Sequence, residues 1–237
     1  MVRGAATLRE IVIFRDLSEA DLESVAQRCH WRRFLREQQV LGYKDDTHEV
    51  FFVVEGRVRA INYSLAGKEV SFRDIEAGDM FGEFAAIDGG PRSANVIALE
   101  DSLVASLSAE DFWIVLEEHP EVVRATMRRL TAQVRALTER VFEFSTLAVK
   151  NRIHAELLRL ARDHMADGNT ARISPAPTHA DLASRLSTHR EAVTRELNEL
   201  AHGGLLERRD RGLLITDVSQ LERMVEEVLG ELPVDDR

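Results

Sequence analysis

The residues best suited to do chemistry lie between positions 82 and 94, where a carboxylate and a guanidinium flank a glycine-rich segment. Gly82-Glu83 begins this segment, Gly89-Gly90 lies within it, and Arg92 follows Glu83 by nine residues. Glycine lets backbone N–H groups approach an anion closely. Arginine can donate to two phosphate oxygens at once, whereas an ionised glutamate only accepts hydrogen bonds and therefore suits a ribose hydroxyl. A phosphate and a ribose together indicate a nucleotide ligand.

The flanking residues extend this pattern. Phe81-Gly82-Glu83-Phe84-Ala85, followed by Pro91-Arg92-Ser93-Ala94, resembles the phosphate-binding cassette of cyclic-nucleotide-binding domains. The resemblance implies that Glu83 binds the ribose 2′-hydroxyl, that Arg92 and Ser93 bind the cyclic phosphate, and that the ligand is also contacted by Gly82, Phe84, Ala85 and Ala94. The alternative is a surface hairpin in which Glu83 and Arg92 form an exposed ion pair without a ligand.

Composition limits the class of protein. A chain of 237 residues with 44% hydrophobic content is long enough for two domains with real cores. The single cysteine, Cys29, excludes an intramolecular disulfide and indicates a reducing compartment. We expect a cytoplasmic protein without membrane contact, because the sequence has no apolar run of membrane-spanning length and no signal-peptide pattern at its start.

The net charge of −10 argues against general nucleic-acid binding, since Lys and Arg contacts to phosphate dominate such affinity. Residues 178–216 differ from the rest of the chain, because six arginines there balance six acidic residues. Any DNA contact is therefore expected to be a focused patch within this segment.

The elements that must position the cassette are short strands. Ser18 is a plausible N-cap for a helix over 18–30, and from about 32 to 107 short runs rich in Val, Phe and Ile alternate with glycine turns. Glu55-Gly56, between two apolar runs, predicts a hairpin, and a later strand begins at Asn95. Strands at this spacing favour an antiparallel roll or barrel.

After Ser108 the apolar spacing becomes helical. Seven apolar residues follow one another at spacings of 4, 3, 4, 3, 4 and 3, namely Val123, Met127, Leu130, Val134, Leu137, Val141 and Phe144. This a/d seam is typical of a helix that pairs with another helix, so it favours a homodimer. The alternative is a long helix packed on its own core. A two-fold dimer would require a palindromic DNA site.

The C-terminal part predicts a helix-turn-helix. Another amphipathic helix begins near Asn151 and is expected to end at Asp167-Gly168-Asn169. Thr178 is a plausible N-cap for one short helix, and Ser187-Thr188 for a second that begins at Arg190. Ala183 is small enough for a close helix crossing, and Leu186 and Val193 are apolar where the pair must bury its inner face.

The second of these short helices carries a polar outer face. Arg190, Glu191 and Arg195 have the chemistry to read base edges in a major groove, because arginine donates to guanine O6 and N7 and glutamate accepts from cytosine N4. The alternative is an ordinary solvated face. The segment 203–215 then predicts a hairpin whose arginines, including Arg208 and Arg209, would contact phosphate as a wing.

The order of these parts resembles the cyclic-AMP receptor protein (Crp/Fnr) family of bacterial transcription regulators over about residues 8–216. The resemblance implies an α+β fold, with a cyclic-nucleotide-binding β roll (jelly roll) over 1–117, a dimerisation helix over 118–145 and a winged helix-turn-helix DNA-binding domain with a C-terminal helical extension over 146–237. It implies double-stranded DNA with TGTGA-like half-sites and RNA polymerase as partners, and no metal. The DNA-binding residues so implied are Thr178, Ser187, His189, Arg190, Glu191, Thr194, Arg195, Arg208 and Arg209.

The resemblance also implies cAMP as the allosteric effector, with Thr138 near the purine. Leu137 stands where close relatives can carry a second hydroxyl, and Lys44 stands where the roll often has a glycine, so cGMP is an alternative effector. Two other functions remain open: a haem-based gas sensor with His30 or His48 as axial ligand, and a cyclic-nucleotide module that acts on proteins. We expect no enzyme, since no catalytic motif is found. Residues 218–229 predict an added amphipathic helix that the resemblance does not explain.

Overall fold

The computed structural model describes residues 4–165 and 168–229 of the chain. These residues divide into two compact units, one extending to Arg135 and the other beginning at Ala136. Each unit has its own hydrophobic core. The long helix predicted from the a/d seam contributes residues to both units.

The N-terminal unit contains two antiparallel sheets that form the predicted roll. Its strands are β1 His30–Phe34, β2 Gln39–Leu41, β3 Val50–Glu55, β4 Arg57–Tyr63, β5 Glu69–Glu76, β6 Met80–Phe81, β7 Asn95–Ala98 and β8 Ser102–Leu107. One sheet has the order β1-β8-β3-β6 and the other β2-β7-β4-β5. Residues of both sheets share one core, in which Phe51 and Val53 of β3 meet Val58 of β4 and Ile75 of β5.

The predicted hairpin at Glu55-Gly56 is wrong. β3 pairs with β6 and β8, whereas β4 pairs with β5 and β7, so the turn carries the chain from one sheet to the other. Gly56 has a φ of +83°, and an added Cβ there would clash with Ser102. The turn signal in the sequence marks a change of direction, but it does not determine which strands form hydrogen bonds.

Short helices cover the outer side of the first sheet. They are α1 Ala5–Leu8, a 3-10 turn Val12–Phe14, α2 Glu19–Arg28, α3 Glu83–Asp88 and α4 Ala109–Glu118. Ser18 caps α2 as predicted, by accepting from the Asp21 N–H. Successive residues of a strand point to opposite faces. Phe52 therefore packs outward against Phe14, with ring centroids 4.9 Å apart, while Phe51 faces the inner core. Cys29 packs on the same helical cluster.

The long helix α5 covers Pro120–Thr146. Val122 and Thr126 near its start are buried, and Val123 packs against the core of the N-terminal unit. Four later seam residues keep large apolar surface exposed: Met127 at 64%, Val134 at 62%, Leu137 at 44% and Val141 at 64%. Leu130 and Phe144 are partly buried. Burial in the chain's own core therefore accounts for only part of the seam.

The C-terminal unit is a winged helix-turn-helix. Its elements are α6 Val149–Asp163, β9 Ala171–Ile173, α7 His179–Arg185, α8 Arg190–His202, β10 Leu206–Arg209, β11 Gly212–Ile215 and α9 Val218–Leu229. The three strands form one antiparallel sheet in the order β10-β11-β9, which confirms the wing hairpin. Helix α6 ends at Asp163, before the predicted end at Asp167-Gly168-Asn169, of which Asp167 lies outside the described residues.

Helix α9 confirms the predicted extension. Val218, Leu221 and Val225 are buried in the core of the C-terminal unit. Glu222 accepts from Arg162 of α6 at 2.6 Å. The extension is therefore an integral part of this unit. Among the described residues, no helix is sufficiently long and apolar to cross a membrane.

Candidate functional site

The cassette begins at a glycine that no other residue replaces without strain. Gly82 precedes α3 with a φ of +80°, in the left-handed region that favours glycine. A Cβ at this position would lie 2.9 Å from the Arg92 Nη1 and 2.9 Å from the Glu49 carbonyl oxygen. Because Gly82 has no side chain, the Arg92 guanidinium and the backbone just before β3 can both lie close to it.

Arg92 is almost completely buried, at 2% exposure. Its Nε donates to Thr47 Oγ1 at 2.9 Å, its Nη1 to the Gly82 carbonyl at 2.9 Å, and its Nη2 to Glu49 Oε2 at 3.1 Å. The guanidinium also lies over the Phe51 ring, 5.5 Å from its centroid. Burial lowers the pKa of Arg92, and the Glu49 carboxylate opposes that shift. The geometry fixes the arginine by three hydrogen bonds.

Glu83, the first residue of α3, is also buried, at 3% exposure. Burial raises its pKa, and the nearby Arg73 guanidinium opposes that effect more than Arg92 does. The alternative of an exposed Glu83–Arg92 ion pair on a surface hairpin is therefore wrong. Both charged groups lie inside the N-terminal unit, and Glu49 pairs with the arginine instead.

A second charged cluster, which no sequence pattern predicts, lies beside the cassette. Asp79 accepts from Arg73 Nη1 at 3.1 Å and from Arg129 Nε of α5 at 2.7 Å, while Arg73 Nη2 donates to the Met80 carbonyl at 2.7 Å. Burial raises the pKa of Asp79, and Arg73 opposes the shift. Arg129 is 50 residues from Asp79, so no local spacing could have indicated this pair.

The remaining predicted ligand contacts lie along the same segment. Ala85 is buried, Phe84 is 41% exposed and Ser93 is exposed, its carbonyl accepting from Asn62 Nδ2 at 3.1 Å. Ala94, next to it, is partly buried. Thr138 is exposed on α5 in the other unit, and its contact with a purine stays a prediction.

Lys44 adopts the backbone conformation expected of the glycine that often occupies this position of the roll. Its φ is +68°, the left-handed region that a glycine would favour, and its N–H donates to the Arg92 carbonyl at 2.9 Å. The Arg92 N–H in turn donates to the Asp45 carbonyl at 3.0 Å. The loop that begins at Gly42 is therefore fastened to the cassette through the backbone.

The helix-turn-helix confirms one predicted cap and corrects the other. Thr178 caps α7 in a capping box with Asp181. Helix α8 has His189 at its N-cap position rather than Ser187-Thr188. Ser187 adopts a φ of +49° in the turn, and the Thr188 N–H donates to the Ala183 carbonyl at 2.9 Å, so the turn itself uses both residues.

Helix α8 separates its polar face from its buried face as predicted. Arg190, Glu191 and Arg195 are exposed, whereas Val193 is fully buried. The exposed side chains of this face line one shallow surface, which comprises Arg190, Glu191, Thr194, Arg195, Asn198, Glu199 and His202. Such a face can donate to and accept from base edges.

A buried polar pair holds α8 on α6. His154 Nε2 lies 2.6 Å from Glu196 Oε1, and both side chains are nearly inaccessible. Lys150 Nζ approaches the same carboxylate oxygen at 3.6 Å. Buried polar groups of this kind need their partners, so the pair fixes the position of the exposed face.

The wing contacts the helix-turn-helix through a histidine. Arg208 Nη2 donates to His179 Nε2, 2.5 Å away, and His179 Nδ1 lies 2.6 Å from Thr194 Oγ1. Burial lowers the pKa of His179, and the charges of Arg208 and Arg190 add to the effect. The imidazole therefore links the wing to α8. Arg209, by contrast, donates to Glu207 on its own strand at 3.0 Å.

Within the described ranges, no group of three or more His, Cys, Asp or Glu side chains could hold a metal ion. The candidate site comprises two parts, the buried cassette of the N-terminal unit and the exposed face of α8 with its wing.

Two family models match the chain. The model for the cyclic nucleotide-binding domain matches residues 31–119, and the model for the Crp-like helix-turn-helix domain matches residues 151–224. The first range contains the cassette and the second contains α7, α8 and the wing.

Curated relatives and solved structures are similar over most of the chain. The CRP-like cAMP-activated global transcriptional regulator of Mycobacterium tuberculosis is 22% identical over 89% of this chain and 95% of its own length. The cyclic AMP receptor protein of Thermus thermophilus is 27% identical over 82% of this chain and 87% of its own length. The structure of a CooA mutant from Carboxydothermus hydrogenoformans has the same fold, with a TM-score of 0.78 at 21% identity over 90% of this chain and 94% of that one.

The family matches fall on the two units that carry the buried cassette and the exposed face of α8, and the curated relatives extend the similarity through α5. With a cyclic nucleotide-binding domain followed by a Crp-like helix-turn-helix domain, the chain belongs to the Crp/Fnr family of transcription regulators.

Proposed function

We propose that the protein is a homodimeric regulator that binds cAMP, with cGMP as the alternative effector, and recognises a palindrome of TGTGA-like half-sites. The observation that carries the proposal is the burial of Glu83 and Arg92 beside the left-handed Gly82. Two buried groups of opposite charge around a glycine suit a ligand with both a hydroxyl and an anionic group. A cyclic nucleotide supplies both.

The dimer rests on α5. Met127, Val134, Leu137 and Val141 recur at a/d spacing and expose apolar surface within one chain. A second copy of the helix would cover these side chains by knobs-into-holes packing. The two-fold axis would then relate the two α8 helices, so that each reads one half of a palindrome.

The DNA contact rests on the exposed face of α8. Arg190, Glu191 and Arg195 would read bases, while the wing arginines Arg208 and Arg209 would bind phosphates. Thr178 and His189 at the N-caps of α7 and α8, Ser187 in the turn between these helices and Thr194 within α8 complete the proposed set. Curated relatives include a cAMP-activated global transcriptional regulator. RNA polymerase is the further partner that we propose for the DNA-bound dimer.

Ligand control requires that the nucleotide favour one arrangement of the dimer over another. The Arg129–Asp79 bond supports a route for this control, since it joins α5 to the strand turn that precedes the cassette. Thr138 at the purine would add a second contact on the same helix.

Calorimetric titration of the full chain with cAMP and with cGMP tests the ligand. We expect Arg92→Ala to lower the affinity at least about tenfold, equivalent to about 1.4 kcal/mol. Arg33→Ala, an exposed arginine on β1, is the matched control and should bind normally. Unchanged binding by the Arg92 variant would refute the site assignment. Gel retardation of a palindromic duplex, with each nucleotide added separately, then identifies the effector that enhances DNA binding.

Sedimentation tests the dimer. Leu137→Lys places a charge in the seam, where burial without a partner costs several kcal/mol, so we expect a monomer. Arg128→Lys, on the same helix but outside the seam, should remain a dimer. A stable Leu137→Lys dimer would show that another surface mediates association.

A further inference from the structure

In the structure, the guanidinium of Arg92, which is the proposed binding group for the cyclic phosphate, already forms an ion pair with a carboxylate. Two of the three partners of Arg92, the Thr47 hydroxyl and the Gly82 carbonyl, are neutral. The third, Glu49, is charged and lies 3.1 Å from Arg92 Nη2. The Arg92 side chain is 2% exposed and the Glu49 side chain is 47% exposed, so Glu49 lies on the solvent side of the buried arginine.

A carboxylate and a phosphodiester compete for the same donors. Each carries one negative charge and accepts from the guanidinium N–H groups in similar geometry. Asp45 and Glu83 also act on Arg92 electrostatically, so the arginine already faces several carboxylates. A phosphate that entered while Glu49 stayed in place would add an anion against one cation, which is unfavourable. Glu49 can leave at small cost, because a half-exposed glutamate regains water.

We propose that Glu49 is an affinity-setting residue whose carboxylate occupies the phosphate position on Arg92 and must be displaced by the anionic group of the ligand. This inference rests on the proposed function, since it concerns the same arginine. Glu49 thereby keeps the site closed to weak anions and admits a ligand whose ribose contact with Glu83 adds to its phosphate contact. The nucleotide concentration at which the regulator responds is then set partly by a residue 43 positions from Arg92.

Titration of the native full-length protein and three variants with cAMP and cGMP tests the inference. Glu49→Gln keeps an oxygen acceptor but removes the charge, and we expect it to bind the better of the two nucleotides about fivefold more tightly than the native protein, as is reasonable for the loss of a partly screened ion pair. Asp46→Asn is the matched control, because Asp46 lies in the same loop and its side chain is 94% exposed. This substitution changes the net charge by the same amount as Glu49→Gln. It should bind within about twofold of the native protein. Glu49→Ala is a second variant, which removes the acceptor in case the glutamine of Glu49→Gln still accepts a hydrogen bond from Arg92.

Salt provides an independent readout. The gain in Glu49→Gln should shrink between about 0.05 M and about 0.5 M salt, since screening weakens the half-exposed ion pair of the native protein. Circular dichroism confirms that each variant is folded.

The outcomes separate the two proposals. If the native protein binds a cyclic nucleotide and neither Glu49 variant binds more tightly, the inference is overturned and the proposed function stands. An equal gain in Asp46→Asn also overturns it, because a general charge effect would then be responsible. If no folded protein of the set binds either nucleotide, the proposed function and the inference both fail.

Discussion

Arg92 in the cassette and Arg195 on α8 place the same guanidinium group in opposite surroundings. Arg92 is 2% exposed and is held by three protein acceptors, whereas Arg195 is exposed on α8. A small ligand contributes few contacts, so its site must be shaped in advance by the protein. A DNA duplex brings many phosphates and base edges, so its site must instead leave donors available to it.

The positions of the proposed binding side chains are therefore fixed in different ways in the two regions. In the cassette, the proposed ligand-binding side chain Arg92 is itself part of the buried network. On α8, the proposed base-reading side chains lie outside the core, and the buried His154–Glu196 pair and Val193 position the helix beneath them. Substitutions in the first region should affect folding and binding together, and substitutions on the outer face of the second should affect binding alone.

The largest difference is expected between Arg92→Ala and Arg195→Ala. The first should lower the free energy of unfolding of the N-terminal unit by about 3 kcal/mol, because three hydrogen bonds worth about 1 kcal/mol each are lost. The second should change stability by less than about 0.5 kcal/mol. Both tryptophans, Trp31 and Trp113, lie in the N-terminal unit, so urea unfolding followed by fluorescence measures that unit, while circular dichroism covers the whole chain. Equal losses would remove the contrast between the two regions.

The cassette glycines sharpen the comparison within the N-terminal unit. Gly82→Ala should cost about 2 kcal/mol and weaken nucleotide binding, since the left-handed backbone costs about 1 kcal/mol and the new methyl group meets Arg92 and the Glu49 carbonyl. Gly89→Ala is the control, because its φ is +70° but nothing lies within 4 Å of its Cβ. It should cost only the backbone part, about 1 kcal/mol, with normal binding. Indistinguishable variants would mean that steric room at Gly82 is unimportant.

On the DNA side, Glu191→Ala and Arg209→Ala should differ in kind. Glu191→Ala is expected to lose about 1–3 kcal/mol on the preferred duplex and less on a duplex substituted at one symmetric base pair. Arg209→Ala should weaken all duplexes about equally and flatten the dependence of affinity on salt. Gel retardation on a panel of single-base substitutions measures both. An even loss across the panel for Glu191→Ala would reject α8 as the reading helix.

The smallest effect concerns the link between wing and helix. Arg208 and burial both hold the pKa of His179 below its ordinary value, so the imidazole stays neutral to lower pH than a free histidine. Arg208→Ala removes one cause and should raise this pKa, although burial keeps it below the ordinary value. NMR titration of the His179 ring measures the shift, and Arg209→Ala serves as control. A pKa unchanged by Arg208→Ala would mean that the contact does not persist in solution.

Local sequence patterns predicted the features that depend on local chemistry. The Ser18 and Thr178 caps, the wing hairpin and α9 all follow from residues within a few positions of one another. The hairpin at Glu55-Gly56 was wrong because a turn signal does not specify the partner strand, which depends on the packing of two sheets. The cap at Ser187-Thr188 was wrong because those residues make the tight turn between helices.

The cassette itself was predictable from its motif, but its partners were not. Glu49 precedes Arg92 by 43 residues, and Arg129 follows Asp79 by 50. Such contacts arise from the closure of the roll and the packing of α5 on it, and a single sequence carries no local signal for them. The assignment of ligand, DNA and dimer residues stays a prediction for the experiments above.

The packing of Cys29 on the helical cluster of the N-terminal unit has a practical consequence. Burial, with a smaller contribution from Asp111, raises the pKa of this thiol to about 12, so the thiol is protonated at pH 7. Cys29 is partly buried in the folded unit, so alkylating reagents and peroxide, which attack the thiolate, should react with it more slowly than with a free cysteine. Since Cys29 is the one cysteine of the sequence, mass spectrometry can follow its labelling without any engineered probe, and a change in the labelling rate on addition of ligand would report a change in the exposure of this part of the N-terminal unit.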